Sequence, residues 1–515
     1  MVTGIPPQAA LELAEDPAWS RYFDGWGAVH DDAFMHPIDV AAWPVKIDHR
    51  RQLFVDDYLI AERQGVRRQL HQPEKHPANP VLVPEHAWEH PALVLAYCLR
   101  DEHTGSFRLW YRSRTTYEEN GRTHNWPNLY AESSDGIHWE RPQLGLYDWE
   151  GSKDNNIILP AGDLRGLIHE PQDEQAPWKA VWEHNSPARS PEWITEEGYY
   201  LYTSQDGIRW EVAGPMIPYG QRSQLGGELS LPLSRLGDTG HVRWDPELQT
   251  YVCDAKGTLR RDIQGSGHRF RLQLESDDLF HWSRPRVVAF PDRDDLAQGT
   301  LGFYGLLGVP YESLWLGFLR VHREEPWKRV DVQLMTSRDG RTWGRACDRE
   351  TFLPLGPEDS WEPDYSEINH QGPLLVDDQL WFFYRGSTML GHRQRGSGKE
   401  SPMAMGLATL RRDGFASMVG DEAPGQITTR PLTFSGRQLH VNAAVGAGGS
   451  LRVAVLDQQG QPLSDFTAEH CRPVTGDGTT QPVNWDAGDL GTASRQQVRL
   501  RFHLQSAHLY SFWIE

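Results

Sequence analysis

No stretch of this sequence is both apolar and long enough to cross a bilayer as a helix. Cysteine is scarce: Cys98, Cys253, Cys347 and Cys471 stand singly, without the paired spacings of a zinc site or a disulfide framework. Positive charge is also in short supply, with 51 Lys and Arg against 71 Asp and Glu and a formal net charge of −20. Nucleic acid and anionic membrane surfaces both require a basic face, so neither is expected as a partner. A neutral substrate or a soluble partner fits that balance better. The opening "MVTGIPPQAALELAEDPAWS" carries neither a basic leader nor an apolar core. The expectation is therefore no signal peptide, and a reduced, cytoplasmic protein with buried thiols.

Aromatics and turn formers, by contrast, are plentiful. The 515 residues include 21 Trp, 17 Tyr, 17 Phe, 48 Gly and 35 Pro, a composition suited to many short strands joined by tight turns. One short pattern recurs: "SSDGIHW" from Ser133, "SQDGIRW" from Ser204, "SDDLFHW" from Ser276 and "SRDGRTW" from Ser337, with a degenerate "RRDGF" at 411–415. The closing aromatics Trp139, Trp210, Trp282, Trp343 and Phe415 stand 71, 72, 61 and 72 residues apart. About thirty residues before each copy runs an aromatic strand pattern such as "FRLWYRS" or "WKAVWEH", and a second strand pattern leads directly into the turn. Strand, connection, strand, Asp-Gly turn and strand make up a four-stranded antiparallel unit. Such a unit buries its faces only by stacking on neighbours, and five around an axis form a five-bladed β-propeller. Within the repeat, Ser and Asp can accept hydrogen bonds from backbone amides across the turn, Gly supplies a positive φ, and Trp plugs the space between blades. The repeat reads as architecture.

After about residue 425 the rhythm gives way to short alternating strands with Gly-rich turns, read as a β-sandwich. The expected organisation of this all-β chain is an irregular segment over 1–45, a propeller over 46–425 as catalytic domain, and a C-terminal β-sandwich over 426–515. The strand-like "QLFVDDYLIAE" at 52–62 is expected to close the ring by pairing with the last blade.

Propellers place their ligands on the axis, and the segments upstream of each aromatic strand carry chemistry at matching positions. Blade one has Trp88, Glu89 and His90; blade two His169 and Glu170; blade three His241, Trp244 and Asp245; blade four Tyr304. Blade five has Trp361, Glu362, Asp364, Glu367 and His370. Glycoside hydrolysis needs one protonated carboxyl and one ionised carboxylate, and Asp245, Glu170, Glu367 and Glu89 are the candidates. A metal centre is the competing reading. His90, His169, His241 and His370 come from four blades, and imidazoles converging on an axis can hold a transition metal. The same acids and histidines can equally shape turns and strand ends.

The stretches "AESSDGIHWERPQLGL" and "NNIIL" resemble the five-bladed propeller glycoside hydrolases, the superfamily of families 32, 43 and 130. "LFVDDYLI", "NPVL", "ATLRRDGFASM" and the closing "HLYSF" are similar to a group of bacterial family 32-like proteins. The resemblance implies a propeller followed by a β-sandwich, with three acids from the first three blades forming the site. By position Glu89 in "WEHP" stands for the nucleophile or base, Glu170 in "HEP" for the pKa-tuning acid, and Asp245 in "WDP" for the general acid. All three depart from the family's motifs. The expectation is a glycosidase acting on a furanoside or other neutral oligosaccharide and requiring no cofactor. Trp88, Trp244, Tyr304 and Trp361 are expected to stack on the sugar, and Arg112 and Arg385 to bind hydroxyls. A non-catalytic carbohydrate-binding propeller and a metal-dependent enzyme built on the axial histidines are the alternatives.

Overall fold

The computed structural model describes residues 44–119, 122–218, 239–259, 268–323, 329–388, 403–486, 488–494 and 496–515. Most of the opening segment expected to be irregular lies outside the described residues. The described chain is all-β, and none of its helices is long and apolar enough to cross a membrane.

Five antiparallel meanders follow one another along the chain. The first comprises Leu93–Arg100, Phe107–Ser113, Asn128–Ser133 and Ile157–Leu159. The second comprises Asp163–His169, Trp178–His184, Gly198–Ser204 and Glu211–Pro218. The third runs from His241–Asp245 through Thr250–Leu259 and His268–Ser276 to Arg286–Ala289. The fourth runs from Thr300–Tyr311 through Leu314–Arg323 and Arg329–Ser337 to Thr351–Leu353. The fifth uses Tyr365–Ile368, Gln379–Ser387 and Met403–Arg411. Its second strands show why the meanders stack: Trp178–His184 and Leu314–Arg323 are buried along nearly their whole length, on both faces. A strand covered on one side only would alternate between buried and exposed positions.

The repeat forms the turn its chemistry calls for. Ser133 Oγ accepts from the backbone amide of Gly136 at 2.8 Å, and Asp135 Oδ1 from those of Ile137 and His138 at 2.8 Å each. Ser204 with Asp206, and Ser276 with Asp278, repeat the arrangement. Gly136, Gly207 and Gly340 take positive φ, and in the third copy Leu279 adopts φ 70° in glycine's place. Trp139 packs on Phe383 of the fifth meander, whereas Trp210 packs on Trp182 within its own.

The partner of the fifth meander differs from expectation. Glu74–Lys75 supplies the last strand of the fifth meander, with Lys75 opposite Ala408, and Lys75 Nζ donates to Glu362 Oε1 at 2.7 Å. Residues 52–62 instead join the C-terminal sheet, through Gln52–Leu53 on Arg499–Ile514 and Ile60–Gln64 on Gly425–Thr429. The reason is two-sided apolarity. Phe54 and Leu59 enter the C-terminal core while Leu53 and Val55 enter the core of meanders four and five. The eight-stranded C-terminal sheet is built on the long strands Leu439–Leu456 and Arg499–Ile514, and it recruits Ala416–Gly420 and Val66–Leu70 from before residue 426.

Two histidines make this packing sensitive to acid. Burial pushes His184, between Ser190 Oγ and Tyr202 OH, down from 6.5 to about 3. Burial, with the charges of His508 and Arg411, takes His71 down to about 4. The unfolded chain binds protons that these folded sites exclude, so stability is full above pH 6.5 and falls as the pH drops from there towards 3. Urea midpoints measured on either side of that window should show the loss; a flat profile would contradict it.

Candidate active site

The starts of the first strands converge on one cavity of about 130 Å³. Asp163 and Arg165 both line it at the start of the second meander, where the pairing slips between Leu164 and Gly166, and alternation in the fifth puts Tyr365 on the same strand face as Glu367. Arg112 reaches in from the first meander, Arg320 and Tyr304 from the fourth, and Arg385 lies opposite Glu367 in the register. Gly305 makes room for Arg320: a Cβ there would fall 2.0 Å from its guanidinium.

Two buried carboxylates anchor the arginines. Asp163 accepts from Arg112 Nε at 2.7 Å and Nη2 at 3.1 Å, and from Arg165 Nη2 at 2.6 Å. Arg165 is also held by Glu183, its Nε donating at 2.8 Å. Glu367 accepts from Arg320 and Arg385, and from Tyr365 OH at 3.0 Å. Burial raises both acids' pKa values, but the guanidinium charges win. Arg112 and Arg165 hold Asp163 below its ordinary range, and Arg320 and Arg385 hold Glu367 well below its own. Both carboxylates are therefore ionised.

His370 Nε2 lies 3.6 Å from Glu367 Oε1, and its ring meets that of His241 at a centroid distance of 4.0 Å. Burial keeps both imidazoles neutral, against the pull of Glu367. Ligand-capable atoms of His241, Glu367 and His370 all lie within 4.8 Å of one another. A cation there would nevertheless meet two guanidinia already bound to Glu367, with Arg320 Nη2 at 3.4 Å from His241 Nε2. The donors suit a metal; the charges around them oppose one. His90 and His169 are exposed and stand outside this cluster, His169 stacked on Trp178 at 4.1 Å.

Of the four candidate acids, Glu367 alone lines the cavity. Asp245 sits at the far end of His241–Asp245, accepting from Trp315 Nε1 at 2.9 Å, Arg243 Nη1 at 3.0 Å and the amides of Glu247 and Leu248. Glu170 follows the end of Asp163–His169 and accepts from Lys179 Nζ at 2.5 Å and Tyr251 OH at 2.8 Å. Glu89 caps a short 3₁₀ turn and accepts from Tyr111 OH at 2.6 Å and Arg141 Nε at 2.9 Å. These three shape turns and join strands. Among the aromatics, Tyr304 lines the cavity, whereas Trp88 donates to Asn156, Trp244 packs on Tyr251 and Trp361 stacks on Tyr384. Trp126, under the Arg112 guanidinium at 4.8 Å, is the cavity's second ring.

Neither a protein-family model nor a curated protein matches the sequence. Solved structures similar in fold include a protein described as a glycoside hydrolase, at 11% identity over 66% of this chain and 92% of its own, with a TM-score of 0.44. Others are a β-1,2-mannobiose phosphorylase from Listeria innocua (12%, 66% and 97%, 0.40) and a family 43 arabinoxylan arabinofuranohydrolase from Bacillus subtilis (12%, 86% and 99%, 0.39). Nothing about the chemistry of the site follows from likenesses at this level.

Asp163, Arg165, Arg320 and Tyr365 escaped the sequence reading. The signal for the first two was the "DLR" of "AGDLRGL", an acid and an arginine two apart at a strand start. Glu170, the acid that the sequence offers in that meander, follows the opposite end of the strand.

Proposed function

We propose that the five meanders are the blades of a five-bladed β-propeller bearing a C-terminal β-sandwich, and that the protein is a glycoside hydrolase of the five-bladed propeller superfamily. The observation that carries this reading is an ionised carboxylate, Glu367, brought into one cavity with a neutral imidazole, His370, and two aromatic rings. Glycoside cleavage passes through an oxocarbenium-like state, which fixed negative charge stabilises. Glu367 provides that charge at the sugar, and Asp163 positions Arg112 and Arg165 around it. His370, neutral and beside Glu367, takes the proton from the attacking water as the bond from the anomeric carbon to the leaving oxygen breaks, and that oxygen, with both carboxylates ionised, draws its proton from solvent at the cavity mouth. Trp126 and Tyr304 offer faces for the ring to stack on.

The test is a hydrolysis panel of aryl and natural furanosides and pyranosides, run with and without chelator, on the protein, His370→Gln and Glu170→Gln. Turnover should survive the chelator and the Glu170 change, and fall roughly 10²- to 10⁴-fold in His370→Gln, the range for a lost acid–base group. Equal activity in both variants would sink the assignment. Sugar binding without turnover by the unmodified protein would make it a binding propeller.

A further inference from the structure

The cavity has more positive charge than its own carboxylates use. Five arginines line it: Arg112, Arg114, Arg165, Arg320 and Arg385. Three carboxylates answer them, Asp163 and Glu367 in the wall and Glu183 behind Arg165. Arg112 and Arg165 are spent on Asp163 and Glu183, and Arg320 and Arg385 on Glu367. Arg114 is left over. Its guanidinium, exposed at the mouth, makes no hydrogen bond or ion pair among the described residues; Arg112 and Arg385 are its nearest like charges, and Asp163, already bound by Arg112 and Arg165, acts on it from farther off. Desolvation by the walls and those two like charges, against the pull of Asp163, push it down to about 10, so it remains a cation at neutral pH. Arg385 Nε is buried in the same wall with no acceptor.

Crowding a third guanidinium beside two others that already share Asp163 and Glu367 costs stability, and an anionic occupant would offset that cost. A neutral sugar's hydroxyls accept hydrogen bonds without cancelling that charge; an oxyanion does both, in the two-pronged geometry that guanidinium favours. The sign is local. Beyond a Debye length of about 8 Å at physiological salt, the field of a chain of net charge −20 is screened, so an anion is recognised at the cavity itself.

We infer that Arg114, with Arg112 and Arg385, forms a subsite for an oxyanion borne by the substrate, a sugar carboxylate or sulfate ester, making the substrate an acidic rather than a neutral glycoside. The substrate class rests on the hydrolase reading; the anion subsite does not. It is tested by calorimetric titration of the full-length protein and of Arg114→Ala. The probes are glucuronate and galacturonate, their methyl esters, glucose and galactose, and inorganic phosphate and sulfate, at low and physiological salt.

Uronates should bind more tightly than their esters or the neutral sugars, weaken with salt, and lose roughly ten- to hundredfold in affinity in Arg114→Ala, the range for one charge-assisted hydrogen bond. Equal binding of acid and ester, uronate binding unchanged by Arg114→Ala, or no binding of uronates would overturn the subsite. Arg114-dependent binding of phosphate or sulfate alone would overturn its assignment to the substrate. The expected pattern together with a silent hydrolysis panel would remove the hydrolase reading and leave the subsite standing.

Discussion

Replacing Glu367 by glutamine should abolish turnover and destabilise the fold by about 3–5 kcal/mol, the range for removing one partner of a buried ion pair. Its carboxylate is the only charge answering Arg320 and Arg385 in the described wall, and it also accepts from Tyr365 OH. Glutamine keeps the shape but not the charge, leaving two buried guanidinia uncompensated. The same logic sets a pH dependence. Because the folded carboxyl titrates well below 4.5, its contribution is present above that value and lost as the pH falls below it. Urea denaturation at neutral pH reads the first effect. Wild-type stability in Glu367→Gln would mean that the arginines are held by other groups, and Glu367 would lose its central place. Activity can be separated from folding with Glu367→Asp, which keeps the charge but withdraws it by one methylene. A catalytic carboxylate tolerates little displacement, so turnover should fall steeply while most of the stability is retained.

How far the sequence could be read depended on the range of the interactions involved. The Ser-Asp-Gly turns are closed by side chains two or three residues from the amides they bind, and their composition announces them. The aromatic strands were equally plain, since each carries its own burial pattern. The site was harder. Glu367 is answered by Arg320 from another meander, and Asp163 by Arg112, 51 residues earlier. Nothing local marks such pairs. The two ends of an inner strand also look alike in sequence, because an acid before proline caps a turn as readily as it serves a sugar. Asp245, with its carboxylate on the amides of Glu247 and Leu248, is such a cap. Net charge is as coarse a guide to a site. A net −20 describes the whole surface, whereas the cavity carries an excess of the opposite sign. Residues 52–62 form strand only at their two ends and pair elsewhere than expected, since only the folded chain reveals that apolar residues of the segment enter two different cores.

The degenerate fifth repeat carries the other large expected effect. In the earlier copies the aspartate caps its own turn near the surface, as Asp206 does for Ile208 and Arg209. In "RRDGF" Asp413 is fully buried at φ 60° and works at long range. Its carboxylate accepts from Arg51 Nη1 at 2.9 Å, Tyr311 OH at 2.8 Å, Asn442 Nδ2 at 3.1 Å and Ser511 Oγ at 2.6 Å. Those donors come from the N-terminal segment, the fourth meander and the two long C-terminal strands, so one side chain fastens the meanders to the C-terminal sheet. Asp413→Ala should cost about 3–5 kcal/mol by taking the buried acceptor from Arg51, Tyr311, Asn442 and Ser511 at once, whereas Asp206→Ala, losing hydrogen bonds at an accessible turn, should cost about 1 kcal/mol. The two variants are compared by urea denaturation followed with tryptophan fluorescence. Weakening the fastening should also let the C-terminal sheet and the meanders unfold in separate steps, turning one transition into two. A single transition with equal losses in both variants would show that Asp413 is another turn residue, and that the two parts are held together by their apolar contacts alone.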